Sequence, residues 1–161
     1  MKNVYQNLVK DYLEIVNGYL VRENIEVQDR KEKKILSLNV VAVKPEEGEV
    51  LLGKITPFPL DSEGIEKIWG DKFTQEMKRL IFEEIHYKNP AHLRKTVYCK
   101  PPQVEDKDIN RVKSKIRETA GKRNINVVFF DEILQQIIDY CAEHKVPVTA
   151  ETISVVSIIE A

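Results

Sequence analysis

Two polar side chains interrupt an otherwise apolar pair of runs where chemistry could be carried out. Residues 35–56 read ILSLNVVAVKPEEGEVLLGKIT, with Asn39 inside the first run and Lys54 inside the second. An Asn offers a carbonyl oxygen and two N–H donors, and a Lys offers a mobile point charge. In a strand alternate residues share a face. Ser37, Asn39, Val41 and Val43 therefore fall on one face of the first run, and Leu52, Lys54 and Thr56 on one face of the second. Where these two faces coincide, Asn39 and Lys54 converge at one end of a hairpin. Glu46, Glu47 and Glu49 belong to its turn and read as acids that keep the turn solvated.

The remaining chemistry-bearing residues are dispersed. His86, His92 and His144 show no metal-ligand spacing, and Cys99 and Cys141 lie among apolar neighbours as expected of free core thiols in a reducing compartment. Cys99 sits in a strand pattern and reads as core rather than as a nucleophile. No nucleophile elbow, phosphate-binding glycine loop or dinucleotide fingerprint is present. One segment stands out electrostatically. Residues 107–123, KDINRVKSKIRETAGKR, carry seven basic residues against two acidic ones, a local charge of +5 in a chain of net charge −1. Arg111, Lys115, Lys122 and Arg123 are candidates to track a phosphate backbone, where each neutralised phosphate adds a salt-dependent increment of affinity. Lys88, Arg94 and Lys95 form a second, smaller basic group, and a solvated helix face is the plainer reading of both.

The elements that must position these residues follow from periodicity. Tyr5, Leu8, Val9, Tyr12, Val16, Tyr19 and Leu20 at helical spacing predict an amphipathic helix over 4–20. IEVQ predicts a short strand, and DRKEKK a charged turn. The hairpin strands are expected at 35–44 and 49–56, closed by PEEGE, where Pro45 and Gly48 supply turn geometry. Residues 63–88 carry a helical pattern that Gly70 and Asp71 divide. KTVYCK reads as a strand stopped by Pro101 and Pro102, 106–121 as a helix, and NINVVFF as a strand of a sheet interior. A helix follows at 131–145, with Asp131 and Glu132 at its positive end. The tail VPVTAETISVVSIIEA is assigned a terminal helix behind Thr149, although its β-branched residues also suit a strand. The order α-β-β-β-α-β-α-β-α-α implies a mixed β-sheet flanked by helices on both faces.

That order, with LNVVAVKP and EVLLGKI in its hairpin, resembles the restriction-endonuclease-like superfamily, the PD-(D/E)XK nucleases, over roughly residues 5–145. The resemblance implies a single restriction-endonuclease-like domain over 1–161. It also implies a hairpin carrying an Asp on its first strand and Glu-x-Lys on the next, where two carboxylates hold Mg²⁺ and the Lys orients or activates water. Such a site needs oxygen ligands for a hard cation, which then stabilises charge on the phosphate. Here the Asp position holds Asn39. Aligning the Lys on Lys54 puts Leu52 at the Glu position, and aligning the Glu on Lys54 puts Thr56 at the Lys position. Either way the motif is degenerate. Family members also draw a carboxylate from the first helix, a place open to Glu14 or Asp11.

A chain of 161 residues is long enough for one hydrophobic core without metals or disulfides. Its polar, amphipathic start and the lack of any apolar run near 20 residues point to a cytoplasmic protein without a membrane partner. The leading expectation is a nuclease-like domain that has lost its metal-dependent phosphodiesterase site and acts by binding nucleic acid or a partner protein, itself included as a homodimer. The alternatives are an active Mg²⁺-dependent nuclease with relocated acids and a purely structural interaction module. No cofactor is expected except Mg²⁺ under the nuclease alternative.

Overall fold

A computed structural model describes residues 4–70, 73–88 and 90–145. Its elements are α1 (Val4–Asp11), a π-helical turn (Tyr12–Val16), β1 (Leu20–Asp29), β2 (Lys34–Lys44), a 3₁₀ turn (Pro45–Glu47) and β3 (Glu49–Pro59). There follow α2 (Ser62–Trp69), α3 (Gln75–Glu84), β4 (His92–Lys100), α4 (Asp106–Gly121), β5 (Ile125–Phe129) and α5 (Phe130–His144). The five strands form one mixed sheet in the order β1-β2-β3-β4-β5. The first three are antiparallel neighbours, and β3, β4 and β5 run parallel. Tight turns can join antiparallel strands, whereas parallel ones need a crossover, which α2–α3 and then α4 supply.

Helices cover both faces. On one, Ile65 and Trp69 of α2, Met77 and Ile81 of α3, and Ile116 and Ala120 of α4 pack against Leu38, Val41, Leu52, Val97 and Val127. On the other, Tyr5, Leu8 and Val9 of α1 and Phe130, Ile133 and Leu134 of α5 pack against Val40, Leu51 and Tyr98, with the Tyr5 and Phe130 rings stacked at 4.5 Å. The helical pattern expected over 63–88 becomes two helices, each opened by a side-chain cap. Asp61 accepts from the Gly64 N–H at 2.7 Å and Thr74 from the Met77 N–H at 3.2 Å, satisfying donors that a helix cannot pair internally. Gly70, at φ +54°, ends α2, as the sequence suggests.

The amino-terminal expectation needs correction. The helix predicted over 4–20 ends regularly at Asp11, widens into the π turn, and gives way to a ten-residue strand in place of the short IEVQ. Leu20, assigned to the apolar stripe of that helix, is 68% exposed on β1. β1 is an edge strand with one largely solvated side, so its Arg, Glu and Asn masked the period of two. β4 likewise extends back to His92. The terminal helix expected behind Thr149 lies outside the described residues.

Face alternation changes phase within the first two strands. Ile25, Val27, Leu36 and Leu38 face α2–α4, whereas Val21, Val40 and Ala42 face α1 and α5. The switch falls at Asn24, which takes φ +55°, and opposite it at Asn39, with no slip in the β1–β2 register. Left-handed backbone is tolerated by Asn better than by most residues. The α1 residue Gln6 fills the break, its Nε2 donating to Glu23 Oε2, Asn24 Oδ1 and the Asn39 carbonyl at 2.9, 3.1 and 3.3 Å. Ser37 thus lies on the face opposite Val41 and Val43, contrary to strict alternation, and donates to Glu26 at 3.3 Å.

Candidate functional site: the splayed hairpin and the basic helix

β2 and β3 pair from Lys44–Glu49 to Val40–Gly53 and then part. Beyond that point β2 stays with β1 while β3 stays with β4. Parting exposes backbone groups on both strands, and a buried amide without an acceptor is costly. Asn39 meets this need: its Oδ1 accepts the Ile55 N–H at 2.7 Å. Gly53 lies just before the fork because a Cβ there would come within 2.5 Å of Val40 Cγ2 and 3.0 Å of Tyr98 Cε2. The approach of neighbouring side chains, not a special dihedral, selects glycine.

Lys54 occupies the opposite side of β3, facing α2. Its Nζ donates to the Ile68 carbonyl at 3.0 Å and lies 5.4 Å from the centre of the Trp69 ring. A cation at a helix carboxyl terminus is favourable, and the aromatic face adds to it. The amine is therefore bonded to the carboxyl end of α2. Leu52 is fully buried in the core between the sheet and α2–α4. Thr56 Oγ1 accepts locally from the Phe58 N–H at 3.4 Å. Glu14 lies on the π turn beside Lys10 at 3.8 Å, well exposed.

These residues do not fit a hard divalent cation. The carbonyl oxygen of the Asn39 side chain holds a backbone amide, Leu52 has no donor, and Lys54 would repel the ion. Among the described residues no group of three His, Cys, Asp or Glu is placed to hold a metal.

The turn acids separate. Glu46 and Glu47 are exposed, but Glu49, predicted to keep the turn wet, is buried. Its Oε1 accepts from the Tyr19 hydroxyl at 2.7 Å and faces Arg94 Nε at 2.8 Å. Two residues outside the hairpin supply these partners, so the hairpin sequence alone gave no signal of the burial. Arg94 is thus tied to an acid, Lys95 extends over the Phe73 ring with its pKa lowered by burial, and Lys88 is exposed. Cys99 is buried, and burial pushes its thiol up to about 12, as expected of a core residue.

On α4 the +5 charge of the sequence is divided by direction. Lys113 is buried and bonds Asp131 at 2.6 Å and Glu132 at 3.7 Å. Arg117 also bonds Glu132 and lies over the Phe129 ring. The acids assigned from sequence to the positive end of α5 therefore also neutralise two α4 cations. Arg111 and Lys115 are exposed on α4 four residues apart, and Lys122 and Arg123, also exposed, follow its last residue Gly121. Arg111 faces Asp108 at 3.4 Å and Arg123 faces Glu66 at 3.5 Å.

No helix among the described residues is long and apolar enough to cross a membrane. No family model matches the chain, and no curated protein matches it. Among solved structures, the crystal structure of protein VC1899 from Vibrio cholerae is similar over 88% of this chain, with a TM-score of 0.44 and 11% identity. The present chain spans 32% of that chain's length, and a likeness this distant carries no argument about fold or function.

Proposed function

We propose that this chain is a nuclease-like domain without a metal-dependent phosphodiesterase site, and that it acts by binding nucleic acid through the outward cations of α4 and the two that follow it. The observation that carries the loss of catalysis is the use of Asn39 and Lys54. Both polar groups of the hairpin bond backbone atoms, Ile55 N–H and Ile68 C=O, and Leu52 between them is core. Side chains that hold a fork together are not positioned to bind a metal or activate water.

The binding surface rests on Arg111, Lys115, Lys122 and Arg123. The acid partners of the two arginines are surface pairs, worth about 0–1 kcal/mol each, so a phosphate can replace them. Lys113 and Arg117 are held by α5 and are not counted. With four phosphates at most, the slope of log K against log salt is no steeper than about −4 on duplex DNA. The test is fluorescence anisotropy with labelled single- and double-stranded DNA and RNA across a salt series. Saturable binding with that slope, weakened by Lys115→Glu and Lys122→Glu, supports the reading. Binding unchanged by both substitutions, or none at low salt, overturns it and favours a protein partner.

A further inference from the structure

The sheet face opposite α4 carries a cavity of about 390 Å³ over β3–β5, beside the π turn. We infer that this cavity is a binding site for an elongated small molecule bearing a phosphate or carboxylate group. Its chemistry is one-sided. Lys44 and Arg94 line it, as do Asn17 and Asn126, and among the described residues no carboxylate does. Glu49 accepts from Arg94 and Tyr19 and offsets one of the two cations. Lys44 lies over the Tyr19 ring at 4.6 Å with no acid bonded to it among the described residues. One positive charge is left for an anion.

A second observation points to a ligand independently of charge. Thr96, on the same face of β4 and lining the cavity, is 1% exposed, and its Oγ1 has no hydrogen-bond partner among the described residues. A buried hydroxyl without a partner is unfavourable and rarely left so. Arg94, Thr96 and Tyr98 line the cavity along β4 and span about 13 Å at strand rise. An anionic group between Lys44 and Arg94 leaves room for an uncharged polar part to reach Thr96 and Tyr98, so the site is longer than a bare phosphate needs. Tyr12 and Leu13 of the π turn also line it.

Isothermal titration of the full chain with AMP, glucose 6-phosphate, citrate and inorganic phosphate tests this. The expected result is one site for at least one of the three organic anions, with Kd below about 1 mM and tighter than for phosphate. AMP or glucose 6-phosphate as the binder assigns a phosphate ligand, and citrate a carboxylate. Lys44→Gln and Thr96→Val each weaken binding about tenfold, the loss of one good polar contact. Lys115→Glu, on the opposite sheet face, leaves it unchanged. Thr96→Val removes the unpartnered hydroxyl, so the free variant melts no lower than the parent and a misfolded variant cannot mimic lost binding. No organic anion binding, or binding indifferent to both cavity substitutions, overturns the inference. Neither result depends on whether α4 binds nucleic acid.

Discussion

Replacing Asn39 with Ala removes the Oδ1 that accepts the Ile55 N–H at 2.7 Å and leaves the rest of the fork in place. The Gln6 contact to residue 39 survives, because it is made to the backbone carbonyl. A hydrogen bond is worth about 0.5–1.5 kcal/mol net, and an amide left unsatisfied in a buried place costs about 1–3 kcal/mol. Ile55 is only partly buried, so water relieves some of that cost, and we expect a loss of about 1.5 kcal/mol. In a domain of this size that corresponds to a fall in Tm of about 3–6 °C. Urea denaturation gives the free energy, and amide hydrogen exchange at Ile55 gives the location, since that amide should lose protection more than its neighbours. Asn39→Asp keeps an acceptor at the same place and should restore both stability and protection. If Asn39→Ala unfolds at the parental urea concentration with the Ile55 amide still protected, Asn39 does not hold the fork and the structural account of the hairpin is wrong.

Gly53→Ala drives a Cβ against the buried Val40 and Tyr98 side chains and should cost about 1–3 kcal/mol in urea denaturation; an unchanged midpoint would refute the close-approach argument. Lys113→Met should lower stability by about 2 kcal/mol, by leaving Asp131 and Glu132 to Arg117, without altering nucleic-acid affinity. Lys115→Glu should do the reverse, and matching effects of the two would deny the division of α4 into inward and outward charge. Stability should fall at alkaline pH. The folded state keeps the Cys99 proton up to about pH 12, whereas the unfolded thiol loses it above its ordinary 9.0, so unfolding releases a proton in that window. The slope approaches about 1.4 kcal/mol per pH unit for one group, and Tyr19 and Tyr98, both raised by burial, add to it above pH 10. Cys99→Ala should flatten the slope between about pH 9 and 10; an unaltered slope there contradicts the assignment.

What the sequence made legible was local. The hairpin, the helix at 106–121 and the break at Gly70 follow from turn residues and periodicity, and the structure places them where those signals lie. What it hid depends on distant partners. Tyr19 continues a helical spacing, yet the chain leaves the helix before it, and its hydroxyl goes to Glu49, thirty residues on. The Asn24–Asn39 phase change is invisible because each strand alternates normally on either side, and only Gln6 and β1 reveal that both switch together. The charge of α4 looked like a patch because sequence counts cations without direction. Lys113 and Arg117 turn to acids that lie on the next helix. The face argument brought Asn39 and Lys54 together at one end of the hairpin, but Asn39 accepts from the Ile55 N–H while Lys54 reaches the Ile68 carbonyl on the α2 side. That division separates a structural fork from a metal site.

The measurement that bears most directly on this is a Mn²⁺ titration followed through the backbone amide signals of Asn39, Leu52, Lys54 and Ile55, with plasmid cleavage recorded on the same samples. No selective paramagnetic broadening at these four amides and no metal-dependent cleavage are expected. Saturable broadening centred on them, accompanied by cleavage that Lys54→Met abolishes, would contradict this.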